Sequence, residues 1–198
     1  VERNAQYHQV FSVGLEKVNA KVAQEKLKHK NWGVIMDIDE TVLDNSFYEK
    51  ANILNCRNVT MPTMYESMEL AVSIATPGAH NFTCSVQKSG GKVVLVTNRD
   101  GSYDDKIQKA TLDNLQKAGI CYDTVIFANG MNDINKTPRF NAVVAGDYSK
   151  IIASKTLKPL NVLAYFGDNI QDFPNITQSA AIKLDANSDF YNKFGQEY

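Results

Sequence analysis

Nowhere in the sequence do apolar residues run for the ~18 consecutive positions of a membrane-spanning helix, so no transmembrane segment is expected. Neither sign of charge dominates. Lysine and arginine number 21 against 22 aspartates and glutamates, a formal net charge of −1, which argues against a protein built to hold a nucleic-acid polymer on a basic face. Cysteine is scarce at 3 residues, too few for a disulfide scaffold. Cys56, Cys84 and Cys121 also lack the spacing of a metal site, and they are expected as free, partly buried thiols, with a Cys56–Cys84 bridge as the alternative. Proline and glycine, at 5 and 11 residues, are too few for a collagen-like chain. No internal repeat is visible. The opening Val1-Glu2-Arg3-Asn4 has neither a Met nor an apolar leader segment, so a processed or trimmed chain is expected.

What is present reads as an ordinary globular chain, with 43% hydrophobic and 22% charged residues. A length of 198 residues suits a single domain with an insertion. Tyr7, Val10, Phe11, Leu15, Val18, Val22 and Leu27 approximate one helical stripe over about 3–30, with lysines mostly on the other faces. Short apolar runs follow at Trp32–Asp37, Lys92–Thr97, Thr124–Ala128 and Val162–Gly167, with a weaker one at Ala181–Leu184. Such runs read as buried parallel strands. Between the second and third, Tyr103 to Ala118 has helical spacing and stops at Gly119. Strands alternating with helices predict an α/β fold, a doubly wound parallel sheet with helices on both faces. The gap between the first two strands is too long for one crossover. It predicts an inserted, mainly helical cap at about 45–85, with a helix over Met64–Ala75 ended by Thr76-Pro77-Gly78. The core is then about 31–44 and 86–198, and 141–160 reads as a loose connection.

Three of the apolar runs lead into polar residues at their carboxyl ends: Asp37-Ile38-Asp39-Glu40-Thr41, Thr97-Asn98-Arg99 and Asp168-Asn169-Ile170-Gln171-Asp172. Ligands of open α/β sheets sit at that edge. Asp37, Asp39, Asp168 and Asp172 would share a small volume, where their mutual repulsion calls for a hard divalent cation. Mg²⁺ takes such oxygen ligands and keeps room for a phosphate oxygen. A carboxylate can also attack phosphorus, and a second can move the proton. Asp37 as nucleophile and Asp39 as acid/base fit that scheme. Thr97 and Asn98 would hold the phosphoryl oxygens, and Lys136 would neutralise charge, with Lys150 and Lys155 as alternatives.

The ordered series resembles the four motifs of the haloacid dehalogenase (HAD) phosphatase superfamily. The segment Asp37-Ile-Asp-Glu-Thr-Val-Leu-Asp-Asn-Ser46, with Val96-Thr97-Asn98-Arg99, Lys136-x-x-Arg139-Phe140 and Gly167-Asp168-Asn169-x-x-Asp172-Phe173, resembles bacterial class C nonspecific acid phosphatases, a family of outer-membrane lipoproteins and secreted enzymes. Plant class B relatives share Asp-Ile-Asp-Glu-Thr; Asp44-Asn45-Ser46 favours the bacterial group. The resemblance runs from the first helix to Phe173. It implies a Rossmann-like core, a helical cap and Mg²⁺-dependent hydrolysis of phosphomonoesters at mildly acidic pH, nucleoside monophosphates among them. It implies attack by Asp37, proton transfer by Asp39, metal binding by Asp37, Asp39 (through its backbone carbonyl), Asp168 and Asp172, and phosphate binding by Thr97 and Lys136. It further implies export to the periplasm, outer membrane or medium, with a lipid anchor on the precursor left open. Aromatic stacking on a nucleobase in the cap points to Tyr48 and Tyr65, for which ordinary packing is the competing reading. A homodimer is left open, since no apolar stripe demands one.

Other features have plainer readings. His8, His29 and His80 lie outside the constellation, and Ser89-Gly90-Gly91 is a turn. Arg99 is equally suited to a salt bridge with a nearby acid or to phosphate. A phospho-accepting receiver module uses similar residues but in a different order, and it has no cap. A binding or storage protein on this fold would be expected to lack the nucleophile, which is present. A phosphatase for another phosphomonoester remains the nearest alternative.

Overall fold

The computed structural model describes residues 2–27, 30–58 and 60–174. Helix α1 (Glu2–Gln24) leads into strand β1 (Trp32–Met36). A short antiparallel pair, β2 (Leu43–Asp44) and β3 (Ile74–Ala75), brackets helices α2 (Ser46–Leu54) and α3 (Met61–Leu70). The core resumes with α4 (Ala79–Lys88), β4 (Lys92–Asp100), α5 (Asp105–Lys117), β5 (Thr124–Ala128), α6 (Thr137–Ala145), β6 (Ile152–Ala153) and β7 (Asn161–Phe166). The main sheet has the order β6-β5-β4-β1-β7. Its strands are parallel except for β6, which runs antiparallel to β5.

The apolar runs are continuous because both faces of the sheet are covered. Alternate residues go to opposite layers. Val34, Met36, Val93, Leu95, Val125 and Phe127 pack with Phe11 of α1, Phe82 of α4 and Leu115 of α5. Ile35, Val94, Val96 and Ile126 pack on the other side with Phe140 and Val143 of α6. Within the first layer, Phe11, Phe82 and Phe166 form an aromatic cluster, Phe82 and Phe166 having ring centroids 4.6 Å apart. Gly33 admits the close approach of β4: a Cβ there would lie 2.4 Å from the Lys92 carbonyl oxygen.

Chain order explains the position of the site. From β1 the chain steps to β4 and β5 with α4 and α5 on one face, then crosses by α6 to β7 on the far side of β1. Strand order reverses at β1, and the loops after β1 and β7 part there to leave a crevice.

Several local expectations are corrected. The cap helix read at Met64–Ala75 is α3, which ends at Leu70 with Ala71 in the left-handed region, φ 50°. It begins earlier because Thr60 and Thr63 form a capping box on either side of Pro62, and residues 74–75 serve as β3. The loose connection at 141–160 contains the end of α6 and strand β6. Two of the cysteines are not free: Cys84 of α4 is bonded to Cys121 in the loop after α5, and the Cys56–Cys84 alternative fails with it, Cys56 being free and exposed. Sequence distance concealed this, since α4 and α5 are neighbours only through the sheet. The run Ala181–Leu184 lies outside the described residues. No described helix is long and apolar enough to cross a membrane.

Candidate active site

Asp37 follows β1 directly, its N–H donating to the Phe166 carbonyl at 2.9 Å as an extension of the β1–β7 pairing. Its carboxylate is buried. Lys136, at the N-cap of α6, reaches in from the opposite layer and is only 2% exposed. Its Nζ donates to Asp37 Oδ1 at 2.5 Å and to Asp172 Oδ1 at 2.6 Å. A lysine this deep needs its hydrogen-bonding capacity met by buried acceptors, here the two carboxyls. Burial pushes the Asp37 carboxyl up to about 7; Lys136 opposes that shift, and the nearby Asp39 and Asp172 add to it.

Asp172 lies on a 3₁₀ turn (Ile170–Asp172) after β7, where its Oδ2 accepts the Asn169 N–H at 2.9 Å. Gly167 makes room for it: a Cβ at that position would fall 2.2 Å from Asp172 Oδ2. Asp168 is exposed at the mouth, and burial raises its carboxyl, with Asp172 adding to the shift. Carboxylate oxygens of Asp37, Asp168 and Asp172 lie within 4.8 Å of one another.

Asp39 has different company. Its carboxylate, one third exposed, is gripped by the buried Arg99 guanidinium. Nη2 donates to Oδ1 at 2.7 Å and Nε to Oδ2 at 3.1 Å, while Nη1 is anchored on Thr111 Oγ1 at 3.1 Å. Asn45 Nδ2 adds a further donor to Oδ1 at 2.8 Å. Burial works to raise the Asp39 carboxyl, but Arg99 and Asn45 outweigh it and hold it below the usual carboxylate range. Of the two readings of Arg99 the structure shows the salt bridge, and the Asp39 side chain stands outside the cluster of Asp37, Asp168 and Asp172.

Thr97 is fully buried, its Oγ1 accepting the Arg99 N–H at 3.1 Å and lying 3.5 Å from Asp39 Oδ2. Asn98 is exposed and lines the cavity, with Oδ1 held by Arg139 Nη2 at 2.8 Å. Arg139, itself 1% exposed, also donates to the Thr97 and Asp133 carbonyls. It acts as a buried brace under the strand end. Lys150 and Lys155 are exposed and take no part in the cavity.

The cavity measures about 380 Å³. The acids form its floor. Its far wall comes from the cap: Tyr48, Asn52, Met64, Tyr65 and Met68. The Tyr48 hydroxyl donates to the Thr63 carbonyl at 2.6 Å, which keeps that ring within the cap. Tyr65 is buried and stacks on Tyr103 of the core, centroids 4.0 Å apart. Among the described residues no histidine lines the cavity; His8 and His80 are exposed, and His29 lies outside the described residues.

A sequence model of the HAD superfamily, subfamily IIIB (acid phosphatase), matches residues 4–192. The chain belongs to this family. Its fold is similar to two solved structures of a class C acid phosphatase from Bacillus anthracis. The one with tungstate bound has a TM-score of 0.70 at 24% identity, and the other has 0.66 at 22%. Each match covers 88% of this chain and 66% of the other, so the chain spans just under two thirds of the length of those proteins.

Within the acid phosphatase family frame, the residues that sequence reasoning undervalued are the supports. Arg99, Arg139 and Asn45 all lie inside or beside the motifs. A signal existed for the arginines, which lie inside the motifs themselves, Arg99 two positions after Thr97 on β4 and Arg139 three after Lys136 on α6. None existed for Asn45, whose partners are set by the cap's return strand.

Proposed function

We propose that the chain is a Mg²⁺-dependent phosphomonoesterase that acts through an aspartyl-phosphate on Asp37, with nucleoside monophosphates among its substrates. The observation that carries this reading is the cluster of Asp37, Asp168 and Asp172, two of which, Asp37 and Asp172, also pair with Lys136. Arg99 is committed to Asp39, so these three carboxylates face one lysine and need about two further positive charges. The donors are all hard oxygens, which suits Mg²⁺. When bound by Asp37, Asp168 and Asp172, the ion supplies charge neutralisation and orientation for a phosphoryl group.

The protein's own groups then do the following. Asp37 attacks phosphorus, and the bond to the leaving oxygen breaks. Asp39 gives that oxygen its proton, then takes one from the water that cleaves the aspartyl-phosphate, a contribution typically worth 10²–10⁴-fold. Lys136 fixes Asp37 and offsets phosphoryl charge, while Thr97 and Asn98, with backbone N–H groups following the first motif acid and near the end of β4, would hold the phosphoryl oxygens. Tungstate, held by the Bacillus anthracis relative, is a tetrahedral oxyanion like phosphate.

Tyr48 and Tyr65 offer aromatic surface to a nucleobase, a contact worth ~1–3 kcal/mol. Tyr48 is the freer of the two, since Tyr65 already stacks on Tyr103. Export fits the Cys84–Cys121 disulfide, a bond that persists in oxidising compartments.

The test is phosphate release from AMP at mildly acidic pH, with Mg²⁺ and with EDTA, for wild type and Asp37→Asn. Release that requires both the metal and Asp37 is expected. No release from AMP or from an aryl phosphate would overturn the reading, and activity surviving Asp37→Asn would assign the nucleophile elsewhere.

A further inference from the structure

The cap is joined to the core by a stem, leaving after β2 at Asn45 and returning before β3 at Ser73. We propose that Asn45 is a positioning residue that fixes the Asp39 carboxyl and ties its placement to this stem through Ser73. The inference rests on the reading of Asp39 as the proton-transfer group.

Asn45 occupies the N-cap of α2, where an asparagine side chain ordinarily accepts a backbone N–H of the first turn. Here it makes no capping hydrogen bond. Its carboxamide is directed at the site instead. Nδ2 donates to Asp39 Oδ1 at 2.8 Å and to Glu40 Oε2 at 2.9 Å. Its backbone N–H donates to Glu40 Oε1 at 2.8 Å. Its Oδ1 accepts the Ser73 hydroxyl at 2.5 Å. Ser73 is in turn held by Asn114 of α5, through Ser73 N to Oδ1 at 3.1 Å and Nδ2 to the Ser73 carbonyl at 2.6 Å. Asn114 is 2% exposed.

Asp39 is therefore clamped from two sides, and both arms end on α5. One runs through Arg99 to Thr111. The other runs through Asn45 and Ser73 to Asn114, one helical turn further on and on the same face. The two arms load the oxygens unequally. Oδ1 receives Asn45 at 2.8 Å and Arg99 Nη2 at 2.7 Å, whereas Oδ2 has contacts no shorter than 3.1 Å. Saturating Oδ1 leaves Oδ2 as the oxygen that exchanges the proton. Without Asn45 the carboxyl can pivot about the arginine, and the proton donor is misplaced.

Misplacing a proton donor matters most when the leaving group is a poor one. The experiment measures kcat/KM for a series of aryl and alkyl phosphates of rising leaving-group pKa, in wild type, Asn45→Ala, Ser73→Ala, Ser73→Thr and the Asn45→Ala/Ser73→Ala double variant. Asn45→Ala is expected to lose about threefold on an activated aryl phosphate and about 100-fold on an alkyl phosphate, part of the 10²–10⁴-fold owed to proton transfer. Ser73→Ala should show the same trend at smaller size and add little in the double variant. Ser73→Thr, which keeps the hydroxyl, should restore the wild-type slope. A loss uniform across leaving groups would overturn the proposal, as would full additivity of the two substitutions. Should Asn45→Ala fail to fold, the Ser73 pair decides alone. Asp37→Asn run beside them separates the failures: if it stays active the underlying mechanism is wrong, and if it is dead while the slopes are unchanged only the positioning role falls.

Discussion

Removing the metal should make stability fall as pH rises through the mildly acidic range, the reverse of ordinary acid denaturation. The cause is Asp37. Burial raises its carboxyl from 3.8 to about 7 in the metal-free site. A carboxyl raised on folding binds more protons in the native state than in the unfolded state between those values. Stability must then decrease with pH across that window and level off above it. At 1.36 kcal/mol per pH unit, the roughly three-unit window sets a ceiling of about 4 kcal/mol. For a domain near 200 residues each kcal/mol moves Tm by ~2–4 °C, so the ceiling is about 8–16 °C. Asp168 and Glu40, also raised by burial, contribute in the same direction. The depressed carboxyls, Asp39, Asp44 and Asp123 among them, act only below about pH 4 and leave the window clean. Mg²⁺ needs the ionised carboxylate, so its stabilisation should grow as pH rises through the same range. The assay is calorimetry from pH 4 to 8 in EDTA and in excess Mg²⁺. Wild type in EDTA should lose Tm up to about pH 7, in Mg²⁺ it should not, and Asp37→Asn should flatten most of the EDTA slope. A metal-free Tm that is constant or rising over this range would refute the reasoning, and so would an unchanged slope in Asp37→Asn.

Gly167→Ala should leave the fold intact but displace Asp172, whose carboxylate occupies the space of the new Cβ. Mg²⁺ affinity measured by titration calorimetry should fall ~10–100-fold, the usual cost of disturbing what orients a ligand; unchanged affinity would remove Asp172 from the metal site. Cys84→Ser opens a cross-link across 37 residues of sequence, worth at most about 4 kcal/mol by loop entropy. Urea unfolding should show most of that loss, and reduction of the wild type should reproduce it.

The parts of this protein that were legible in its sequence are those fixed by short-range pattern. Val34, Ile35 and Met36 announced a strand covered on both faces because no polar residue interrupts them. Asp37, Lys136, Asp168 and Asp172 could be brought together on paper because a parallel sheet puts successive strand ends on one edge. What could not be read depended on contacts between elements distant in sequence. Cys84 meets Cys121 only because α4 and α5 lie side by side in one layer. Thr97 carried the expected hydroxyl, but the bond it accepts from the Arg99 N–H shows only in the fold. Tyr65 had the composition of a stacking residue, yet Tyr103 covers it from a loop that sequence pattern does not place.

Asp37 and Asp39 are two residues apart and chemically identical, and the fold separates them by giving each its own cation. Lys136 is shared between Asp37 and Asp172, so it does not fully offset the burial of Asp37. Arg99 is undivided, and Asn45 reinforces it. In the free site the proposed nucleophile is therefore the acid that tends to keep its proton, and the proposed proton-transfer group is the one that tends to be ionised. Diverging affinities in a neighbouring pair are a mark of assigned acid and base roles, but here the resting assignment is opposite to the one that the first chemical step needs. Binding must invert it. A divalent cation at Asp37, Asp168 and Asp172 favours the ionised nucleophile, and the negative phosphoryl group arriving beside Asp39 favours its protonated form. The proton required at the leaving oxygen is thus acquired only when substrate is present. On this account Arg99→Lys, which loses the two-pronged grip on Asp39, should loosen that timing. The variant should keep its dependence on Mg²⁺ while the limb of its pH–rate profile that Asp39 sets moves to higher pH. A profile identical to wild type would show that Arg99 only braces the strand end.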